Sequence, residues 1–169
     1  MKTNTLPKYD MNNKPTGCCP KFDPKNWDDQ KLRFKDKPFV RVKTKSFFHI
    51  PLNIGSVFPK TFETIMKENA FSEDDFIILS HDPSPWTGEH FFSVTKEIPV
   101  LETIKMTGNF ITKVFEGPFK DAPKWEKEME RTVRDKGLKI RKTYYFYTTC
   151  PKCAKVYGKN YVVAVSETE

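Results

Sequence analysis

The chain has 169 residues, of which 37% are hydrophobic, and its 15 Phe, 6 Tyr and 3 Trp supply enough apolar surface for one domain with a substantial core. Of its 29 Lys and Arg, 13 lie in residues 1–60, where only 5 acidic residues accompany them. This local positive charge is typical of a lysine-rich solvated surface, or of contacts with anionic ligands or acidic partners. The sequence contains no helix-turn-helix, RNP-type strand or regular basic helix, so we expect no nucleic-acid partner.

The sequence also argues against secretion and against a membrane partner. Residues 1–24 contain no apolar run between a basic start and a small-residue cleavage site. Apolar runs elsewhere span only a few residues, which is too short for a transmembrane helix. We therefore expect a cytoplasmic protein whose thiols stay reduced.

Residues 1–38 are rich in Pro, Lys and Asn and have almost no hydrophobic periodicity. This composition predicts an irregular N-terminal arm. The arm nevertheless carries four large apolar side chains, which are too many for a free tail. They are Phe22, Trp27, Leu32 and Phe34. We predict that the arm packs on a single domain formed by residues 39–169, either as a structural wrap or as a lid.

Residues 107–137 predict a strand, a tight turn and an amphipathic helix in succession. The strand comprises Phe110 to Phe115, which are β-branched, aromatic or polar in the manner of a half-buried strand, and Gly117-Pro118 ends it. Apolar residues then recur every four positions on one helix face. We predict that this helix has its N-cap at Asp121 and its C-cap at Gly137.

The same order of elements occurs earlier in the chain. Residues 46–52 predict a strand, and a helical pattern runs from Phe58 to Lys67. Each helix is followed by two strand-like runs, which are residues 76–79 and 88–94 in the first copy and residues 144–147 and 158–165 in the second. The repeat predicts an α+β fold of two pseudo-repeated strand-helix-strand-strand modules, at about residues 39–98 and 99–169, forming an antiparallel sheet with helices on one face.

Two segments are predicted to connect the paired strands within the modules. Residues 81–88 contain Pro83 and Pro85, which cannot donate hydrogen bonds to a strand ladder, so we expect them to form a hairpin connection. Residues 148–160 are expected to play the same part in the second module.

The turn in the second module resembles that of a known family. Residues 116–125, Glu-Gly-Pro-Phe-Lys-Asp-Ala-Pro-Lys-Trp, are similar to the Gly-Pro-aromatic turn and aromatic-led helix of the gyrase-inhibitor-like small-molecule-binding proteins, which have the bacterial effector-binding-domain fold. The resemblance covers about residues 39–166. Residues 16–20 and 149–155 resemble a bacterial subgroup that is often labelled simply as hydrolases. The resemblance implies a ligand in a groove between two modules related by a pseudo-twofold axis.

The four cysteines form two pairs in the sequence, Cys18-Cys19 and Cys150-Pro-Lys-Cys153. A redox-active pair would use a helix N-terminus, whereas the second pair falls between two predicted strands, which argues against redox chemistry. All four thiolates together could bind zinc and hold the arm on the second connection. The alternative is four reduced thiols packed without a metal, because adjacent cysteines rarely both face one ion and a second C-x-x-C motif is absent.

An aromatic groove with one carboxylate would hold flat, hydrophobic or cationic small molecules by stacking and cation–π attraction. The sequence candidates for ligand binding are Phe48, Trp86, Phe92, Phe110, Tyr147 and Tyr161. Hydrolysis of a small strained or activated compound would instead require a carboxylate and a partner that transfer protons. The catalytic candidates are Glu116, Tyr145 and His49. No G-x-S-x-G, H-E-x-x-H or phosphate-loop motif specifies a reaction.

Three functions therefore remain open from the sequence. The first is a protein that binds a small molecule between the two modules, and the second is a hydrolase on the same fold. The third is a zinc-stabilised structural or interaction protein. In each case we expect a monomer.

Overall fold

The computed structural model describes residues 2–169, which form an α+β fold. The chain divides into two compact units, a terminal unit of residues 1–34 with 108–169 and a central unit of residues 35–107. The strands are β1 (Lys31–Phe47), β2 (Ile50–Pro51), β3 (Ile78–Ser84), β4 (Thr87–Ser93), β5 (Thr103–Glu116), β6 (Ile140–Tyr147) and β7 (Tyr161–Thr168). The α-helices are α1 (Ile54–Lys67), α2 (Ala122–Asp135) and α3 (Pro151–Tyr157).

The two units have the same internal topology. In the central unit β4 lies between β1 and β3, and in the terminal unit β7 lies between β5 and β6. All four pairings are antiparallel. In each unit the last strand pairs on one side with the long strand that precedes the helix and on the other side with the strand that follows it. The predicted strand-helix-strand-strand repeat in an antiparallel α+β fold is confirmed.

One amphipathic helix packs against the strands of each unit. In the central unit, Ile65 of α1 is fully buried in a cluster with Val40 and Phe92. In the terminal unit, α2 buries the face that bears Trp125, Met129 and Val133, and the Trp125 ring stacks on Phe115 at 5.6 Å between centroids. The apolar stripe spaced at three and four residues is what makes each helix bind its strands.

The ends of α2 agree with the sequence. Asp121 is the residue before the helix, as predicted, although its side chain makes no capping hydrogen bond. Gly137 has φ +74° beyond the helix C-terminus, the left-handed conformation that glycine adopts at low cost.

The arm is shorter than predicted, because β1 already begins at Lys31 and residues 31–38 belong to this strand. The remaining arm packs on the terminal unit, as its apolar side chains indicated. Trp27 is fully buried with its ring 5.3 Å from that of Phe146, and its indole Nε1 donates to the Lys8 carbonyl at 3.3 Å. Thr112 of β5 donates a hydrogen bond to the Trp27 carbonyl.

One of the two predicted connections, residues 81–88, is wrong in its extent. Strand β3 continues to Ser84 and includes Pro83, because a register shift between His81 and Ser84 removes the need for a ladder hydrogen bond from proline. The connection of residues 148–160 has the predicted bounds, between β6 and β7, but it contains helix α3, which was not predicted. Over residues 2–169, the helices are all too short or too polar to cross a bilayer.

Candidate metal centre

All four cysteines of the chain meet in the terminal unit. Their Sγ atoms lie within 4.8 Å of one another. Cys18 and Cys19 come from the arm, and Cys150 and Cys153 come from the N-terminal end of α3. Since Cys19 and Cys150 are 131 positions apart, only the folded chain can assemble this set.

A tight turn in the arm directs both adjacent cysteines to one point. Gly17 has φ +70° and donates its N–H to the Lys14 carbonyl at 2.8 Å. The Sγ atoms of Cys18 and Cys19 then lie 3.8 Å apart. Two thiolates on a tetrahedral zinc ion, each at about 2.3 Å, are separated by about 3.8 Å. The steric objection to adjacent ligands therefore does not hold for this turn.

The other two cysteines are positioned by the start of α3. Cys150 is the N-cap residue, and its Sγ accepts the backbone N–H of Cys153 at 3.5 Å. The backbone N–H of Cys150 in turn donates to the Cys19 Sγ at 3.4 Å. Such N–H donors favour thiolates over thiols, because they place positive dipole ends at the sulfur atoms. The sequence signals for α3 were Pro151 at the first helical position and Gly158 after the last one.

Thr16 and Tyr157 support the cluster, and sequence reasoning missed both. The Thr16 hydroxyl lies 3.2 Å from the Cys153 Sγ and 3.0 Å from the Tyr157 hydroxyl. Tyr157 donates to the Cys19 carbonyl at 2.6 Å. These contacts tie the arm turn to α3 around the four sulfur atoms. No signal in the sequence pointed to Tyr157, because α3 itself was not predicted.

The sulfur atoms are in different electrostatic surroundings. The hydrogen bond from Thr16, followed by that from the Cys19 backbone, lowers the pKa of Cys153 to about 6. Burial is the main cause that raises the pKa of Cys19 to about 12. All four cysteines are free thiols, and the 3.8 Å separation of Cys18 and Cys19 is far longer than a disulfide bond of about 2.05 Å.

The remaining sequence candidates in the terminal unit lie on two faces of its strands. Tyr145 is in the cluster beneath α2, and Tyr147 stacks beside it at 6.4 Å between centroids. Glu116 and Tyr161 are cross-strand partners on the opposite face, where the Tyr161 ring lies 5.8 Å from Phe22 of the arm. Glu116 and Tyr145 are therefore not brought together.

A small aromatic surface forms around Tyr147. The rings of Tyr147 and Phe119 are 5.8 Å apart, and each residue is 43% exposed. Tyr145, whose ring stacks beside that of Tyr147, has a buried hydroxyl without a hydrogen bond of normal geometry among residues 2–169. Burial, and then the charge of nearby Glu126, raises the pKa of Tyr145 above its usual range. Phe119 was not among the residues that the sequence indicated, although it is the aromatic of the Gly-Pro-aromatic turn.

Two predicted ligand residues belong to the cores. Phe110 is 1% exposed and its ring lies 4.9 Å from that of Phe34. Phe92 is also 1% exposed and packs on Phe58 of α1 at 5.0 Å. Neither side chain has surface with which to contact a ligand.

The other candidates lie together on the surface of the central unit. The rings of Phe48 and Trp86 are 5.0 Å apart and both are more than half exposed. His49 is exposed as well, and its Nδ1 lies 3.3 Å from an Asp82 carboxylate oxygen.

The fold and the thiol cluster define an α+β protein of two like-built units with a four-cysteine centre. The chain belongs to the Bacterial hydrolase family, whose model matches residues 9–168, including all four cysteines. A hydrolase from Listeria innocua has a similar structure, with a TM-score of 0.59 at 13% identity over 84% of this chain and 92% of that one.

An uncharacterized conserved protein from Listeria innocua is also similar in structure, with a TM-score of 0.57 at 12% identity over 84% of this chain and 92% of that one. At such identities both likenesses establish a shared fold and nothing about activity. The sequence matches no curated protein.

Proposed function

We propose that this member of the Bacterial hydrolase family binds one zinc ion through Cys18, Cys19, Cys150 and Cys153, and that the ion fastens the N-terminal arm to the terminal unit. The observation that carries the proposal is the convergence of all four cysteines to within 4.8 Å. Four soft sulfur ligands in a compact set suit zinc, which takes four thiolates in tetrahedral geometry. When bound, zinc would hold all four cysteines as thiolates.

A four-thiolate site is structural, because no coordination position stays open for water or substrate. The ion would close a loop between two segments 131 positions apart and would thereby restrict the unfolded chain. Any hydrolytic reaction of this protein would take place at other residues.

The metal content of protein purified without added zinc tests this proposal. We expect about one equivalent of zinc per chain by mass spectrometry, and a large loss of zinc in Cys18→Ser, which changes an exposed residue and should fold. Val156→Ser is the matched control, because Val156 is also exposed, lies in α3 and is not one of the four proposed zinc ligands. Less than about half an equivalent in the unmodified protein would contradict the proposal.

A second candidate function is the binding of a flat, hydrophobic or cationic small molecule at the aromatic surface around Tyr147. The support for it is the pair of half-exposed rings of Tyr147 and Phe119, together with the buried hydroxyl of Tyr145, whose ring stacks beside Tyr147. A planar ligand would stack on the rings, and its polar group would pair with the Tyr145 hydroxyl. The likeness of residues 116–125 to the gyrase-inhibitor-like turn points to the same region. Hydrolysis is the alternative use of this surface, with Tyr145 as the group that transfers a proton.

A thermal-shift screen with planar cationic and hydrophobic compounds tests the second candidate. We expect a compound that binds this surface to raise the melting temperature of the unmodified protein. The control variant Phe48→Asn, which alters an exposed aromatic residue of the central unit, should show the same rise. The shift should disappear in Tyr147→Ser. A shift retained in Tyr147→Ser but lost in Phe48→Asn would assign ligand binding to the central unit instead. If the unmodified protein hydrolyses such a compound and the Tyr145→Phe variant does not, the result would favour the hydrolase.

A further inference from the structure

The central unit exposes a group of large apolar side chains at one end of its strands. Each is 52% to 67% exposed. The group, called the apolar tip below, consists of Phe47, Phe48, Ile50, Leu52 and Trp86. The rings of Phe47, Phe48 and Trp86 lie 4.8 to 5.7 Å apart in all three pairs, so these rings form one continuous patch. Ile50 is the cross-strand partner of Phe47.

Hydrogen bonds between two neighbouring turns hold the apolar tip in place. The turn between β1 and β2 contains Phe48 and His49, and the turn between β3 and β4 contains Pro85 and Trp86. The backbone N–H of His49 donates to the Pro85 carbonyl at 2.9 Å, and that of Ser46 donates to the Trp86 carbonyl at 2.8 Å. The tip is thus a formed surface rather than a loose loop.

The backbone of Phe48 gives a second reason to regard the tip as functional. Phe48 and His49 have φ of +47° and +66°, a two-residue hairpin conformation that favours Asn and Gly. A phenylalanine there costs stability, since its Cβ is crowded in the left-handed region. The chain keeps an exposed aromatic ring at a position where a small polar residue would be more stable.

The size and composition of the tip match the centre of a protein interface. Aromatic side chains have about 150–250 Å² each, so five large side chains that are about half exposed present roughly 500 Å². This is near the upper end of the apolar patches of monomers, and a standard interface buries about 800 Å² per partner. Aromatic residues are also enriched in interface cores.

The rim of the tip favours a second copy of the same chain. Lys45 precedes the aromatic residues on β1 and has no acidic partner within residues 2–169, while Asp82 is an acidic residue beside His49. In a twofold contact each chain presents the same patch, so Lys45 of each copy can approach Asp82 of the other while the rings pack at the centre. We propose that the apolar tip is a self-association surface through which two copies of this chain form a twofold dimer, in place of the monomer that the sequence led us to expect.

Sedimentation and tryptophan fluorescence over a wide concentration range test the proposal. Trp27 is 0% and Trp125 5% exposed, so a change in emission on dilution reports Trp86. We expect a dimer with blue-shifted emission that dissociates on dilution to a red-shifted monomer. Phe48→Asn should raise the dissociation constant at least tenfold, because it removes a central ring and suits the left-handed backbone.

The control variant is Val100→Asn, which changes a 71% exposed residue outside the tip and should dimerise normally. Leu52→Ser is the second tip variant, should Phe48→Asn fold poorly. A mass that stays monomeric at every concentration would overturn the proposal, as would a dimer unaffected by both tip variants. Emission that shifts only with anionic lipid vesicles would assign the tip to a membrane surface and would also overturn it.

Discussion

Removal of the proposed zinc ion is expected to release the arm and to lower the stability of the protein by about 4 kcal/mol, which is the contribution of a ligand present at about a thousand times its dissociation constant. For a chain of this length such a loss corresponds to a fall in melting temperature of about 10 °C. The physical reason is that the four sulfur atoms would then lose the ion that compensates their charge. Thermal melting with and without a strong chelator measures the effect.

Limited trypsin digestion gives a local readout of the same event. Lys14 and Lys21 flank the cysteine turn of the arm, so we expect faster cleavage there after chelation. Cys18→Ser should already melt at the lower temperature and should not respond further to the chelator. An unchanged melting temperature and an equally protected arm after complete removal of zinc would rule out the fastening role.

The replacement Trp27→Ala is expected to lower the free energy of unfolding by about 3–5 kcal/mol, the usual cost of deleting a buried large aromatic side chain. Trp27 is fully buried by the rings of Phe22 and Phe146, so its removal leaves a cavity between the arm and the strands of the terminal unit. Equilibrium urea unfolding measures the loss.

The matched control for this prediction is Trp86→Ala, which removes the same side chain from an exposed position. Measured at a concentration low enough for monomers, it should change the free energy of unfolding by less than about 1 kcal/mol. Equal losses in the two variants would mean that the arm does not pack on the terminal unit in solution.

Periodicity predicted the regular part of the fold correctly. The every-fourth-residue spacing of Trp125, Met129 and Val133 and the glycine at 137 specified α2, because a helix buries one face and ends where a left-handed residue costs little. The extent of β3 and the presence of α3 were missed, since a strand bulge and a seven-residue helix leave little periodicity.

The faces of the strands illustrate what periodicity leaves open. All four of residues 144–147 are aromatic, so both faces of the strand carry an aromatic pair and the sequence could not tell which pair lies beneath α2. Packing of α2 placed Tyr145 on its own side and left Phe146 to the arm, with the ring of Phe146 5.3 Å from Trp27. Because Tyr145 lies on the α2 side of the strands, it is on the opposite face from Glu116 and Tyr161.

By itself the sequence determined the repeated order of strands and helices, because local spacing of apolar residues decides which face each element can bury. It also contained all four cysteines as two pairs, without deciding whether they meet. Tertiary structure decided that they do, since the docking of the arm on α3 depends on contacts between segments far apart in the chain. The same holds for the apolar tip, whose five side chains lie in and beside two turns that hydrogen bonds join only in the folded protein.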